Sequence, residues 1–195
     1  MALNPVAVVA QDHPAVGTLD DADMARAARE DASAFAALYQ SYHGRLYRYL
    51  RTRVPTDEDA ADLVQQVFVH VLDAIPTYRS TKGTFVGWLF RIARNAATDW
   101  NRRHKPMLTW DRLPEELHPH IDVDMDAELA RRGDAAHGRG LLNSLPLERR
   151  EIVALRFAGG LTIPEIAAAL GKGEKATRKK LARTLRKLEE LYDEG

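Results

Sequence analysis

The segment LTIPEIAAALGKGEKATRKKLARTLRKL leaves few folds open to this chain. Thr162 has the side chain to cap a helix, Pro164 suits its first turn, and Glu165 stands three residues after the cap, where it completes a capping box. Ile163, Ile166, Ala167 and Leu170 recur at helical spacing and give that short helix one packing face. Gly171-Lys172-Gly173 makes a turn. A longer helix is then expected from about Glu174 to Tyr192, with Leu181, Leu185, Leu188 and Leu191 inside. A short capped helix, a glycine turn and a longer basic helix form a helix-turn-helix, whose second helix lies in the major groove of DNA.

Between 172 and 187 there are eight basic residues, opposed only by Glu174. Lys175, Arg178, Lys179, Ala182 and Arg186 fall at helical spacing and share an outward face. A charge run is usually a solvated helix face, but a capped helix and turn directly before this one favour DNA. Arg178, Lys179 and Arg183 are suited to guanine edges, and Lys172, Lys175 and Lys180 to phosphates.

The first half of the chain is also helical in pattern. Phe35, Leu38, Tyr39, Tyr42, Leu46, Tyr49 and Leu50 mark one helix that should end near Val54-Pro55. Thr56 caps a second, whose buried stripe is expected to be Ala60, Leu63, Val64, Val67, Val71 and Leu72, with Asp62, Gln65, Gln66, His70 and Asp73 pointing elsewhere. A third carries Phe85, Trp88, Leu89, Ile92, Ala93, Ala96 and Trp100 on its expected core face, with Arg91, Arg94, Asn95 and Arg102 as a polar stripe opposite Trp88 and Trp100. That stripe, beside a hydroxyl-rich loop at Tyr78–Thr84, would suit an unpaired strand, where phosphates need cations and extruded bases need a walled pocket. The tryptophans themselves read as core. No strand pattern competes.

The organisation expected is therefore all-α: a flexible tail over 1–22, a helical domain over 23–105, a flexible acidic linker over 106–124, and a helix-turn-helix domain over 125–195. Ahead of the helix-turn-helix, helices are expected at about 126–143 and 147–157, with Gly159-Gly160 breaking the latter. Net charge is zero, with 28 basic and 28 acidic residues, but its distribution is uneven. Residues 1–33 hold 2 basic and 6 acidic groups, 34–105 hold 11 and 6, 106–134 hold 3 and 8, and 135–195 hold 12 and 8. Basic helical blocks thus alternate with acidic segments. With no cysteine, disulfides, thiolate metal sites and thiol redox switches are excluded. The opening MALNPVAVVAQ lacks the makings of a leader, and no later run approaches a membrane span, so a cytoplasmic protein without membrane insertion is expected.

Asp122-Val-Asp124-Met-Asp126 resembles the start of a calcium loop, but Ala127 and Gly133 stand where glycine and glutamate are required. His118 and His120 lack further ligands at suitable spacing, which disfavours a metal-dependent hydrolase. No nucleophile elbow, phosphate loop or acid/base pair emerges. Neither a catalytic role nor a cofactor or metal is expected.

The order of motifs resembles a bacterial extracytoplasmic-function (ECF) sigma factor. DAADLVQQVFVHVLDAI followed by TFVGWLFRIARNAATDWNRR resembles region two of that family, and LPLERREIVALRFAGGLTIPEIAAALG with its basic helix resembles region four. The resemblance implies a protein that binds core RNA polymerase and directs promoter recognition, DNA melting and transcription initiation, under control of an anti-sigma factor. It implies that Asp62, Leu63, Gln65, Gln66 and Phe68 dock on the clamp coiled coil of the largest polymerase subunit. It implies that Tyr78, Arg79, Ser80, Thr81, Lys82, Arg91, Arg94, Asn95 and Arg102 meet the minus-ten element and its melted non-template strand. Lys172, Lys175, Arg178, Lys179, Lys180, Ala182 and Arg183 correspond to the face that meets the duplex minus-thirty-five element. The linker would thread the polymerase cleft toward the RNA exit path. Three departures from the family are expected: the stretch from Tyr78 to Trp88 is one residue longer, the N-terminal tail is longer, and no appended C-terminal domain follows. The competing reading is a dimeric helix-turn-helix regulator acting without polymerase, whose dimerisation helix would be apolar where this chain has Asp62, Gln65 and Gln66.

Overall fold

The computed structural model describes residues 27–28, 31–78, 84–104 and 135–193. Among these every regular element is helical. Three long helices form the first half: α1 (Ala32–Arg51), α2 (Asp57–Ala74) and α3 (Phe85–His104). The second half contains α4 (Ala135–Ser144), α5 (Leu147–Phe157), α6 (Ile163–Leu170) and α7 (Glu174–Asp193). The expected tail, the linker and His118, His120 and the Asp122–Asp126 cluster lie outside the described residues.

The helices begin where their caps dictate. Asp31 caps α1 by accepting from the Ser33 amide and hydroxyl, each at 2.8 Å. Thr56 caps α2 by accepting from the Asp59 amide at 3.1 Å, and Asp57, Glu58 and Asp59 set negative charge against the positive end of the helix. Arg51, at the end of α1, bridges to Asp57 at 2.5 Å and to the Val54 carbonyl, and so fixes the turn between the two helices. The core of this half comprises Leu38, Leu46, Leu50, Leu63, Val67, Leu89 and Phe90, all fully buried. Burying a Leu-sized side chain is worth roughly 1.5–3 kcal/mol, so this seam supplies much of the drive to assemble three separately marginal helices.

In the second half the expected capping box is present: the Thr162 amide donates to the Glu165 carboxylate at 2.7 Å. α6 ends at Gly171, whose φ of +64° is the left-handed conformation that glycine adopts without strain. α7 then crosses back over α5 and α6, burying Leu181 and Leu188.

Two core expectations need correction. Leu72 is 52 % exposed. Val64, Phe68 and Leu72 are four residues apart, and four residues overshoot a 3.6-residue turn, so a row with this spacing drifts around the helix and its third member leaves the seam. Trp88 packs against the core as expected but is only half-buried, and it does not oppose the polar stripe, because 88, 91, 95 and 102 share one helix face.

The two halves are in contact. α3 packs along α6 more extensively than any other helix pair among the described residues. At the crossing, a β-carbon on Gly87 would stand 2.5 Å from the Ala168 β-carbon and 2.9 Å from the Glu165 carbonyl, so the backbones approach this closely only because residue 87 has no side chain.

Candidate nucleic-acid and polymerase interfaces

Three surfaces carry the sequence-derived candidates, one on each of α2, α3 and α7. On α2, Asp62, Gln65 and Gln66 are exposed, and Val69, 58 % exposed, and Leu72 extend the same side toward the end of the helix. The result is a polar face with an apolar end. Leu63 and Phe68 are not on it. Leu63 is fully buried, and Phe68, 4 % exposed, packs edge-on against Phe35 and lies 4.5 Å from the Tyr39 ring. Phe68 holds α2 to α1, Leu63 lies within the core, and neither is available for direct docking.

On α3, Arg91, Asn95 and Arg102 are exposed and Arg94 is half-exposed. Arg102 pairs with Asp99 one turn back at 3.3 Å. Tyr78 is buried, its ring 5.5 Å from Phe85 and 5.0 Å from Trp88, so it anchors the start of the following loop and does not face solvent. Arg79, Ser80, Thr81 and Lys82 lie outside the described residues. Trp88, read as core from the sequence, is half-buried and packs against the core beside Tyr78 and Phe85, on the helix face that also carries Arg91 and Asn95. The spacing of 88, 91 and 95 carried that signal.

On α7, Lys175, Arg178, Lys179, Arg183 and Arg186 are all exposed, and Ala182 lies half-buried among them. Lys172 and Lys180 are engaged differently. Both pair with Glu148 at the start of α5, Lys172 at 2.6 Å. Hydrogen bonds from Lys172 and then Lys180, reinforced by their charges, hold the Glu148 carboxyl down at about 2. Glu148 thus gives these two lysines a shared carboxylate partner.

Three further arginines that the sequence did not mark, Arg45, Arg48 and Arg53, face the second half, and Arg91 joins them. Arg45 donates to the Gly159 and Gly160 carbonyls at 2.9 and 3.0 Å, and Arg48 to the Ala158 carbonyl at 3.4 Å. Arg91 donates to the Ala168 carbonyl at 2.9 Å. Arg53 pairs with Glu151, which also accepts from the Tyr49 hydroxyl at 2.6 Å and lies 3.8 Å from Arg94. Arg53 and Glu151 are 7 % and 5 % exposed. Burial pushes the Tyr49 hydroxyl up, and burial together with the neighbouring Arg45 charge lowers the Arg48 guanidinium. Among the described residues no group of acidic or histidine side chains is arranged to hold a metal ion, and no helix is long and apolar enough to cross a membrane.

Comparison with known proteins places both halves of the chain in one family. The family model described as Sigma-70 region 2 matches residues 38–106, and that described as Sigma-70, region 4 matches residues 139–188. The ECF RNA polymerase sigma factor ShbA of Streptomyces griseus is 34% identical over 179 residues, covering 87% of this chain and 93% of the relative. This chain belongs to the ECF sigma factors. SigX of Bacillus subtilis, also an ECF RNA polymerase sigma factor, is 32% identical over 180 residues, covering 82% of the chain and 86% of the relative. The solved structure of CnrH in complex with the cytosolic domain of CnrY superimposes with a TM-score of 0.62 at 28% identity, covering 89% of this chain and 97% of that one. As a member of this family the sigma factor binds RNA polymerase and recognises promoters, and acts as a regulator of transcription initiation. The alternative of a dimeric regulator independent of polymerase is not favoured by these matches.

Proposed function

We propose a division of labour in which the outward face of α2 docks on core RNA polymerase, the α3 stripe receives the melted non-template strand of the minus-ten element, and α7 reads the duplex minus-thirty-five element. The observation that carries this reading is the row Lys175, Arg178, Lys179 and Arg183, exposed together on the helix that follows the Gly171 turn. That is the geometry by which a recognition helix enters a major groove. Asp62, Gln65 and Gln66 are the docking residues; Leu63 and Phe68 support them from beneath. Asn95 and Arg91 flank the Trp88 ring, a combination suited to stacking an extruded base and pairing its phosphate. Arg79, Ser80, Thr81 and Lys82, which follow Tyr78 in sequence, are further candidates for contact with the same strand. On this reading the organisation is a region-two unit over 23–105 and a region-four unit over 125–195, joined by 106–124, working in the cytoplasm. CnrH was solved bound to a partner's cytosolic domain. That complex supports an anti-sigma factor as the partner of this chain when polymerase is absent.

The test separates the two DNA surfaces. Arg178→Ala should lose about 1–3 kcal/mol of discrimination within the upstream element. Asn95→Ala should leave closed-complex binding intact, depress permanganate reactivity of the downstream element, and recover on a template already mismatched there. Equal melting by wild type and Asn95→Ala, or loss of both variants at the closed-complex step, refutes the division.

A further inference from the structure

Arg186 shares the outward row of α7 with Lys175 and Lys179, yet it has no part in the roles assigned to that helix. Eleven positions separate it from Lys175. At 3.6 residues per turn and 1.5 Å per residue, the two side chains emerge about 20° apart around the helix and about 16 Å apart along it. The major groove is about 12 Å wide, so the two ends of this row reach opposite walls. A recognition helix meets base edges with its N-terminal residues. A side chain three turns further on stands past those bases, at the sugar-phosphate wall.

The structure keeps Arg186 available for that wall. It is exposed, and its guanidinium makes no hydrogen bond or ion pair among the described residues. Glu190, one turn ahead, accepts from Lys187 at 3.3 Å instead. The helix beneath is held in place, because Thr184 and Leu188 on its inner side are buried, so Arg186 projects from a packed stretch and not from a fraying end. At the opposite end Lys172 and Lys180 already share Glu148, which leaves Lys175 as the exposed cation of the first turn.

We infer that α7 grips the duplex from both walls of the groove: Lys175 holds a phosphate of one strand, and Arg186 holds a phosphate of the other, outside the base pairs that Arg178, Lys179 and Arg183 read. This rests on α7 being the reader of the minus-thirty-five element. It adds a second anchor that fixes affinity and register and carries no sequence information.

The test uses core polymerase loaded with the full-length sigma factor and titrated with labelled promoter duplexes at several salt concentrations. Arg186→Ala should lower the log–log salt slope by about 1 and weaken every base variant of the upstream element by one common factor. Arg186→Lys keeps the charge and should restore the slope. Single phosphates flanking the element are then replaced, one at a time, by neutral methylphosphonates. At one position the wild type should lose as much affinity as Arg186→Ala loses on unmodified DNA, and Arg186→Ala should lose nothing more there. An unchanged slope in Arg186→Ala, or losses that add at every position, overturns the second anchor. Altered base preference in Arg186→Ala overturns it too, by making the residue a base reader. Arg178→Ala on the same duplexes separates the two claims: if it still loses discrimination, only the anchor falls, and if it does not, the assignment of α7 falls as well.

Discussion

Glu148 shows how one exposed side chain can set the strength of a binding surface. Its carboxylate holds Lys172 and Lys180 together at the edge of the recognition helix, so two cations suited to phosphate contacts already have a partner. Replacing Glu148 by Gln should therefore tighten binding of polymerase-bound sigma factor to upstream duplex and steepen its salt dependence by about 1 to 2 in log–log slope, measured by titration at several salt concentrations. An unchanged slope would mean the lysines do not reach phosphate. The carboxyl's low value gives a second check. A depressed acid contributes its pairing fully above its ordinary value of 4.5, and that contribution fades as pH falls toward about 2. An NMR titration should find Glu148 still ionised at a pH where unpaired glutamates are largely protonated, and Lys172→Ala should move its midpoint back up.

At the level of the element, α2 makes opposite demands on its two sides. Leu63→Ala leaves a cavity in a fully buried seam and should lower stability by about 2–5 kcal/mol in urea unfolding. Asp62→Ala with Gln66→Ala alters only exposed positions, so it should leave the unfolding midpoint nearly unchanged and weaken competition for core polymerase. If the double variant competes normally, the docking face is elsewhere. This split shows what the sequence could convey. Caps at Thr56 and Thr162, the Gly171 turn and the outward row on α7 are local, since each is decided within a few residues of chain, and each was legible. Leu72 was misplaced, and Trp88 was set opposite a stripe whose face it shares, because three- and four-residue spacing defines a stripe only to about one helix row, and the neighbouring helix decides which edge is covered. Leu63 and Phe68 fall among the docking candidates because a motif marks a segment without separating its outer from its inner side. Glu151, Arg45 and Arg53 gave no signal at all: their partners lie about a hundred positions away, and a charged residue in a helix looks alike whether it meets water or an arginine.

For the whole molecule, a zero net charge offers little long-range attraction to DNA, and on the proposed division of labour the two DNA-facing surfaces reach separated promoter elements only when a larger body spaces them. The purified sigma factor should bind promoter duplex weakly and gain affinity and sequence preference together when core polymerase is added. Titration of one labelled promoter with and without core enzyme measures this. Tight, dimeric binding by the chain alone would contradict the assignment of roles.

Arg45, Arg48 and Arg91 terminate helices to which they do not belong. These donors precede their acceptor carbonyls by about 75 to 115 positions, so a ribosome delivers the donors first. When Phe157–Gly160 and Ala168 emerge, the guanidinium groups that finish α5 and α6 are already displayed on a formed surface. Synthesis is then vectorial in the structural sense: the earlier half serves as a template on which the later helices stop fraying. The joining of the two halves is then the last step of the chain's folding, and it follows the order of synthesis.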